Sequence, residues 1–186
     1  MLSDGWVSFL ASFDQPDIKL WHNIVNNFHE LHGDQLDAAY WIMAHAECDQ
    51  ATVFGFLTGF IGYGDLQSVL RDAQRNRTAL AAAAQPMVSV IECWNSGFYK
   101  SHSIAYDEDE TPSDYIGSGE QLNDWLAALT EEFGIDLPFV ERTDFDPFIP
   151  VDDMSRSKPS VFEICDGVPL QLAYPHDWPK GVTPPQ

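Results

Sequence analysis

Asp49-Gln50-Ala51-Thr52-Val53-Phe54-Gly55-Phe56-Leu57-Thr58-Gly59-Phe60-Ile61 is the stretch on which the reading of the whole chain turns. Asp49 is the residue type that caps a helix N-terminus, because its carboxylate accepts the unpaired amides of the first turn. Behind it the segment is apolar nearly all the way round, and a helix with no polar face belongs inside a bundle. The sequence therefore predicts a central helix with others packed around it.

The flanks fit that expectation. Upstream, Ile18, Trp21, Ile24, Val25, Phe28 and Leu31 recur at spacings of three and four, with Asp17 as cap and Gly33 as stop. A second helix follows Asp34, with Leu36, Ala39, Tyr40 and Met43 on one side. Downstream, Gly62-Tyr63-Gly64 ends the central segment, and Asp65 caps a helix carrying Leu66, Val69, Leu70 and Ala73. Arg71, Arg75 and Arg77 cluster near its end, where cations complement the helix dipole. The run Ala79 to Ala84 leads to Pro86, which suits a first helical turn, and Met87, Val90, Ile91, Trp94 and Phe98 repeat behind it. A buried strand over 87–91 competes, but the helical pattern continues to Phe98.

Residues 107–153 differ in kind. They hold 15 acidic residues and one basic one, Arg142. Within them Ser118-Gly119-Glu120-Gln121 matches a capping box, and Leu122, Trp125, Leu126, Leu129 and Phe133 form one stripe ending at Gly134. Later, Asp166-Gly167 lies between two β-favouring runs, 161–165 and 168–174, which is a hairpin signal. The expected fold is mainly α: a compact helical bundle or array with a small C-terminal β-hairpin. One domain would span 1–174, with a helical core at 14–100, the acidic segment at 107–153 and the hairpin at 160–174. Residues 175–186 would form a proline-rich tail.

Composition narrows the function classes. The 186 residues carry 9 Lys+Arg against 29 Asp+Glu, a net charge of −20, with 45% apolar residues. That is enough apolar material for a core, so the chain is not a disordered acidic tail. The charge argues against nucleic-acid and anionic-lipid partners, whose phosphates would repel it. No apolar run approaches the roughly 18 residues of a membrane span. The first residues lack the basic start of a signal peptide, so a cytoplasmic location is expected. Cys48, Cys93 and Cys165 form no C-x-x-C pair and read as small buried hydrophobes in a reducing compartment.

Signatures of the common catalytic classes are missing: G-x-S-x-G, a P-loop, H-E-x-x-H and G-x-G-x-x-G do not occur. His22, His29 and His32 with Glu30, or His45 with Cys48 and Asp49, have spacings that could hold a metal. The plainer reading is that these histidines flank an apolar stripe, and no metal or cofactor is expected. Cys93 with His102 and Asp107 could form a nucleophilic triad, but Cys93 lies within the stripe of Val90, Ile91 and Trp94 and reads as core. The expectation is a protein that is not an enzyme.

The segment Trp41-Ile42-Met43-Ala44-His45-Ala46-Glu47-Cys48-Asp49 resembles the W-I-x-x-H/N-x-x-C-D signature of a family of uncharacterised small acidic bacterial proteins, in which an apolar helix follows. The resemblance covers about 45 residues, from near Trp21 to Tyr63, and brings no catalytic residue with it. Such proteins are similar in character to the immunity proteins encoded beside bacterial toxins. What the resemblance and the acidic belt imply together is a cytoplasmic immunity protein that neutralises a cognate basic toxin. A nuclease is one such toxin, since it must be basic to grip nucleic acid. The expected contact residues are Asp107, Glu108, Asp109, Glu110, Asp114, Tyr115, Asp144, Phe145, Asp146, Phe148, Asp152 and Asp153. Two alternatives stay open: a hydrolytic enzyme using His and carboxylate groups near His22–His45, and an adaptor or structural subunit. The sequence leaves the oligomeric state open.

Overall fold

A computed structural model describes residues 5–27, 33–106, 118–142 and 145–148. Within these residues the protein is mainly helical. The helices are α1 (Trp6–Leu10), α2 (Ile18–Asn27), α3 (Asp34–Met43), α4 (Gln50–Gly62), α5 (Asp65–Ala73), α6 (Arg77–Asn95) and α7 (Gly119–Phe133). No strand occurs among the described residues, only isolated bridges at Asp49–Ser101 and Tyr106–Phe148. The expected hairpin at 160–174 and the tail lie outside them.

The helix at 50–62 is the centre, as its composition implies. Ten of its 13 residues are buried, and it packs against α2, α5 and α7. Asp49 caps it: Oδ1 accepts the Ala51 amide at 3.0 Å. Other local signals also act as read. Asp17 Oδ1 accepts the Lys19 and Leu20 amides at the start of α2. Ser118 and Gln121 form both halves of a capping box on α7, and Gly134 ends that helix in the left-handed conformation at φ 67°.

Four local expectations are corrected. Gly64 occupies the N-cap position of α5, so Asp65 is the first helical residue rather than its cap; Asp34 is likewise the first residue of α3, behind Gly33. In that first turn Asp65 still complements the helix dipole. Arg77 opens α6 instead of closing α5. Pro86 lies inside α6, not at its start. The alanines before it have the highest helix propensity, and Asn76 caps them by accepting the Thr78 and Ala79 amides. The helix is thus under way nine residues before the proline, which removes one backbone donor without stopping it. Finally, α1 was not anticipated. It is a single short turn-and-a-half that buries Trp6 and Leu10 and packs against α3.

Candidate functional site

The site begins at the C-terminal end of α6. Trp94 is buried there by the stripe that runs from Met87 through Ile91, and Asn95 follows on the exposed side. After α7 the chain returns in extended form past this end, with Leu137 and Phe139 buried and Pro138 and Val140 exposed. Asn95 grips it like a neighbouring strand. Its Nδ2 donates to the Pro138 carbonyl and its Oδ1 accepts the Val140 amide at 2.9 Å. The Trp94 indole N–H donates to the Val140 carbonyl at 3.1 Å.

This anchoring fixes what comes next. Phe139 stacks on Trp94 at 5.7 Å, and Phe145 meets the same indole edge-on at 5.1 Å while touching Phe54 at 5.3 Å. The Arg142 guanidinium stands 5.7 Å over the Trp94 ring, within the range of a cation–π contact. His102 flanks Phe145 at 4.9 Å, and its Nε2 donates to the Asp146 carbonyl at 3.0 Å. Asp146 Oδ1 in turn accepts the Phe148 amide at 2.9 Å. Between this wall and the first turn of α7 lies a cleft of about 600 Å³. Aromatic rings line its depth, and Glu120, Glu141, Arg142 and Asp146 stand around it. Three of those four are acidic.

A second constellation gathers at the N-terminal end of α4. Asp49, 1% exposed, uses its other oxygen to accept the Ser101 hydroxyl at 2.8 Å, the Ser103 amide and hydroxyl at 2.7 and 3.2 Å, and the Ile104 amide at 3.3 Å. His22, expected on an exposed flank, is buried, with Nδ1 2.8 Å from Thr52 Oγ1. Burial lowers its pKa to about 3, so the ring is neutral at physiological pH. Asn26 donates to the His22 and Thr52 carbonyls beside it. Tyr106 closes the group, its hydroxyl donating to the Ala51 carbonyl at 3.2 Å and its ring 5.3 Å from His22. The phenol lies directly on Gly55, where any Cβ would collide with it and with the Asn26 carboxamide.

The spacing of His45, Cys48 and Asp49 does not make a metal site here. His45 Nδ1 donates to the Trp41 carbonyl at 2.8 Å with its ring against Trp21 and Trp41, while Asp49 is spent on amides and hydroxyls. Residues 28–32, with His29, Glu30 and His32, lie outside the described region. Among the described residues no group of three or more His, Cys, Asp or Glu could hold a metal ion. Burial, reinforced by Asp49, pushes the Cys48 thiol up; burial and Glu92 do the same to half-buried Cys93. Neither is an activated thiolate. Among the described residues no helix is long and apolar enough to cross a membrane.

No protein-family model matches this chain, and no curated protein or solved structure matches it.

Of the expected contact residues, the structure describes Phe145, Asp146 and Phe148, and all three line the cleft. Both phenylalanines are half-buried and belong to its wall, while Asp146 is exposed. Asp107, Glu108, Asp109, Glu110, Asp114, Tyr115, Asp144, Asp152 and Asp153 fall outside the described residues. Sequence reasoning missed Phe54, Trp94, Phe139, Glu120, Glu141 and Arg142 as parts of one site. One signal was present: Arg142 is the single cation in a segment of 15 acids.

Proposed function

We propose that this chain is a non-enzymatic binding protein of the bacterial cytoplasm, an immunity protein that neutralises a cognate basic toxin through its acidic surface. The observation that carries the reading is the exposure of the belt. Seven of its 15 acids are described (Glu120, Asp124, Glu131, Glu132, Asp136, Glu141 and Asp146), and every one is exposed. Glu132 pairs with Arg71 at 3.1 Å. Exposed like charges repel one another and oppose compaction, so retaining them has a cost that a positively charged partner would offset. Such a surface also steers encounter, raising association rates by roughly 10- to 1,000-fold over an uncharged one.

The partial resemblance of residues 41–49 to small acidic bacterial proteins supports the same reading, and a nuclease is the toxin class whose basic surface suits it best. The test is co-expression with the product of the adjacent reading frame. That product alone should arrest growth, and this chain should restore it. The quadruple variant Asp107→Lys, Asp109→Lys, Asp152→Lys and Asp153→Lys should associate at least tenfold more slowly and lose most of the rescue. A harmless neighbour, or undiminished rescue by the reversed chain, would refute the proposal.

A further inference from the structure

We infer that the cleft beside Trp94 is a seat for an arginine side chain presented by the basic partner, and that Arg142 fills this seat while the protein is free. The inference rests on the binding-protein reading and specifies the chemistry of its contact. Three observations converge on a guanidinium. Aromatic rings line the depth of the cleft, and the faces of such rings attract cations. The exposed carboxylates of Glu120, Glu141 and Asp146 stand around them. The chain's own guanidinium already lies over Trp94, which demonstrates that the group fits.

The opposite ligand, an anion drawn to Arg142 and the first turn of α7, would face three carboxylates against one guanidinium on a molecule of net charge −20. Lysine is disfavoured as well. An ammonium is compact and strongly hydrated, whereas a guanidinium is flat, weakly hydrated and stacks on indole and phenyl faces. At about 600 Å³ the cleft also exceeds what one side chain needs and falls within the usual range of ligand pockets. A partner arginine can therefore enter with a flanking residue.

Arg142 is then a tethered competitor. It sits two residues beyond Val140, whose amide and carbonyl are both held by the end of α6, so its backbone stays in place when its side chain leaves. Because the competitor is intramolecular, it lowers the affinity for every incoming cation and rejects weak ones first. A partner that also engages the acidic belt displaces it far more readily than an isolated arginine does.

The experiment uses the full chain and three capped tripeptides, acetyl-Gly-Arg-Gly-amide and its lysine and citrulline counterparts. Binding is read by NMR from the Trp94 indole N–H, assigned through its contacts to Val140. A saturable shift is expected with the arginine peptide, a weaker one with lysine and none with uncharged citrulline. Arg142→Gln should tighten arginine binding about threefold by vacating the indole face. Glu120→Gln with Glu141→Gln should weaken it about fivefold. Equal shifts with arginine and citrulline, or binding unmoved or weakened by Arg142→Gln, would overturn the assignment. Growth rescue separates the two readings. Rescue that survives in the Glu120→Gln, Glu141→Gln chain, with no arginine-peptide binding, sinks the cleft alone. Arginine binding beside a harmless neighbouring gene product sinks the immunity reading and leaves the cleft standing.

Discussion

The carboxylate of Asp49 accepts the backbone amide of Ser103 at 2.7 Å across 54 residues of chain. One oxygen starts α4, and the other fastens the segment after α6 to that same helix end. A single side chain thus joins a local task to a long-range one.

Replacing it should expose both tasks. Asp49→Ala leaves the Ala51, Ser103 and Ile104 amides without their acceptor in a buried place, and a loss of about 3 kcal/mol is expected. Asp49→Asn can still cap α4, but its amide group would face donors on the other side, so it should recover only about 1 kcal/mol of that loss. Urea denaturation with an unchanged slope is the measurement. Near-wild-type midpoints for both variants would contradict the description of this buried cluster.

Gly55→Ala should reverse the usual rule for helices. Inside an exposed helix the change gains about 1 kcal/mol. Here the new methyl group meets the Tyr106 hydroxyl and the Asn26 carboxamide, and overpacking of this kind typically costs about 2 kcal/mol. Adding Tyr106→Phe removes the colliding oxygen and should restore part of the loss. Thermal melts of the single and double variants decide it. A stabilised Gly55→Ala would refute the packing described.

Stability should fall in acid through His22. Its folded pKa is lowered to about 3, below the ordinary value of 6.5, so the unfolded chain binds the extra proton between those limits. The stability it contributes is full above about pH 6.5 and lost progressively as pH falls toward 3, amounting to about 2 kcal/mol at pH 5. His22→Gln can keep a hydrogen bond to Thr52 without titrating. Its stability should change less between pH 7 and pH 5 than that of the native chain, and parallel profiles would remove His22 as the cause.

Asn95→Ala should loosen the wall of the cleft without unfolding the protein. Both hydrogen bonds of the carboxamide are exposed, so a loss of about 1 kcal/mol is expected. The sharper readout is hydrogen exchange at the Val140 amide, which should accelerate selectively. Unaltered protection at Val140 would show that Asn95 does not hold the segment.

What the sequence makes legible follows from the range of each interaction. Asp17, Asp49 and the Ser118–Gln121 box act on amides two or three residues away, and their helices begin where the residue types require. The apolar circumference of α4 shows in composition, hence its central place. His22 shows the limit. It lies on a helix read correctly from Ile18, Trp21, Ile24 and Val25, yet its burial depends on Thr52, 30 residues on. Tyr106 sits among acids in the chain but turns inward to Ala51. The cleft was legible only in fragments. Phe54 and Trp94 belong to helical stripes that read as core, and nothing local to Asn95 signals that it will grip residues 138–140.

Pro86 divides α6 according to what holds each half. Before it, a mostly exposed alanine run, in which Ala84 alone is fully buried, depends largely on propensity and on the Asn76 cap; from Met87 to Trp94, the helix depends on burial. The break in the backbone ladder therefore acts as a firebreak. Fraying that starts at Arg77 can run to the proline and stop there, while the Trp94 end, and the aromatic wall built on it, keeps its shape.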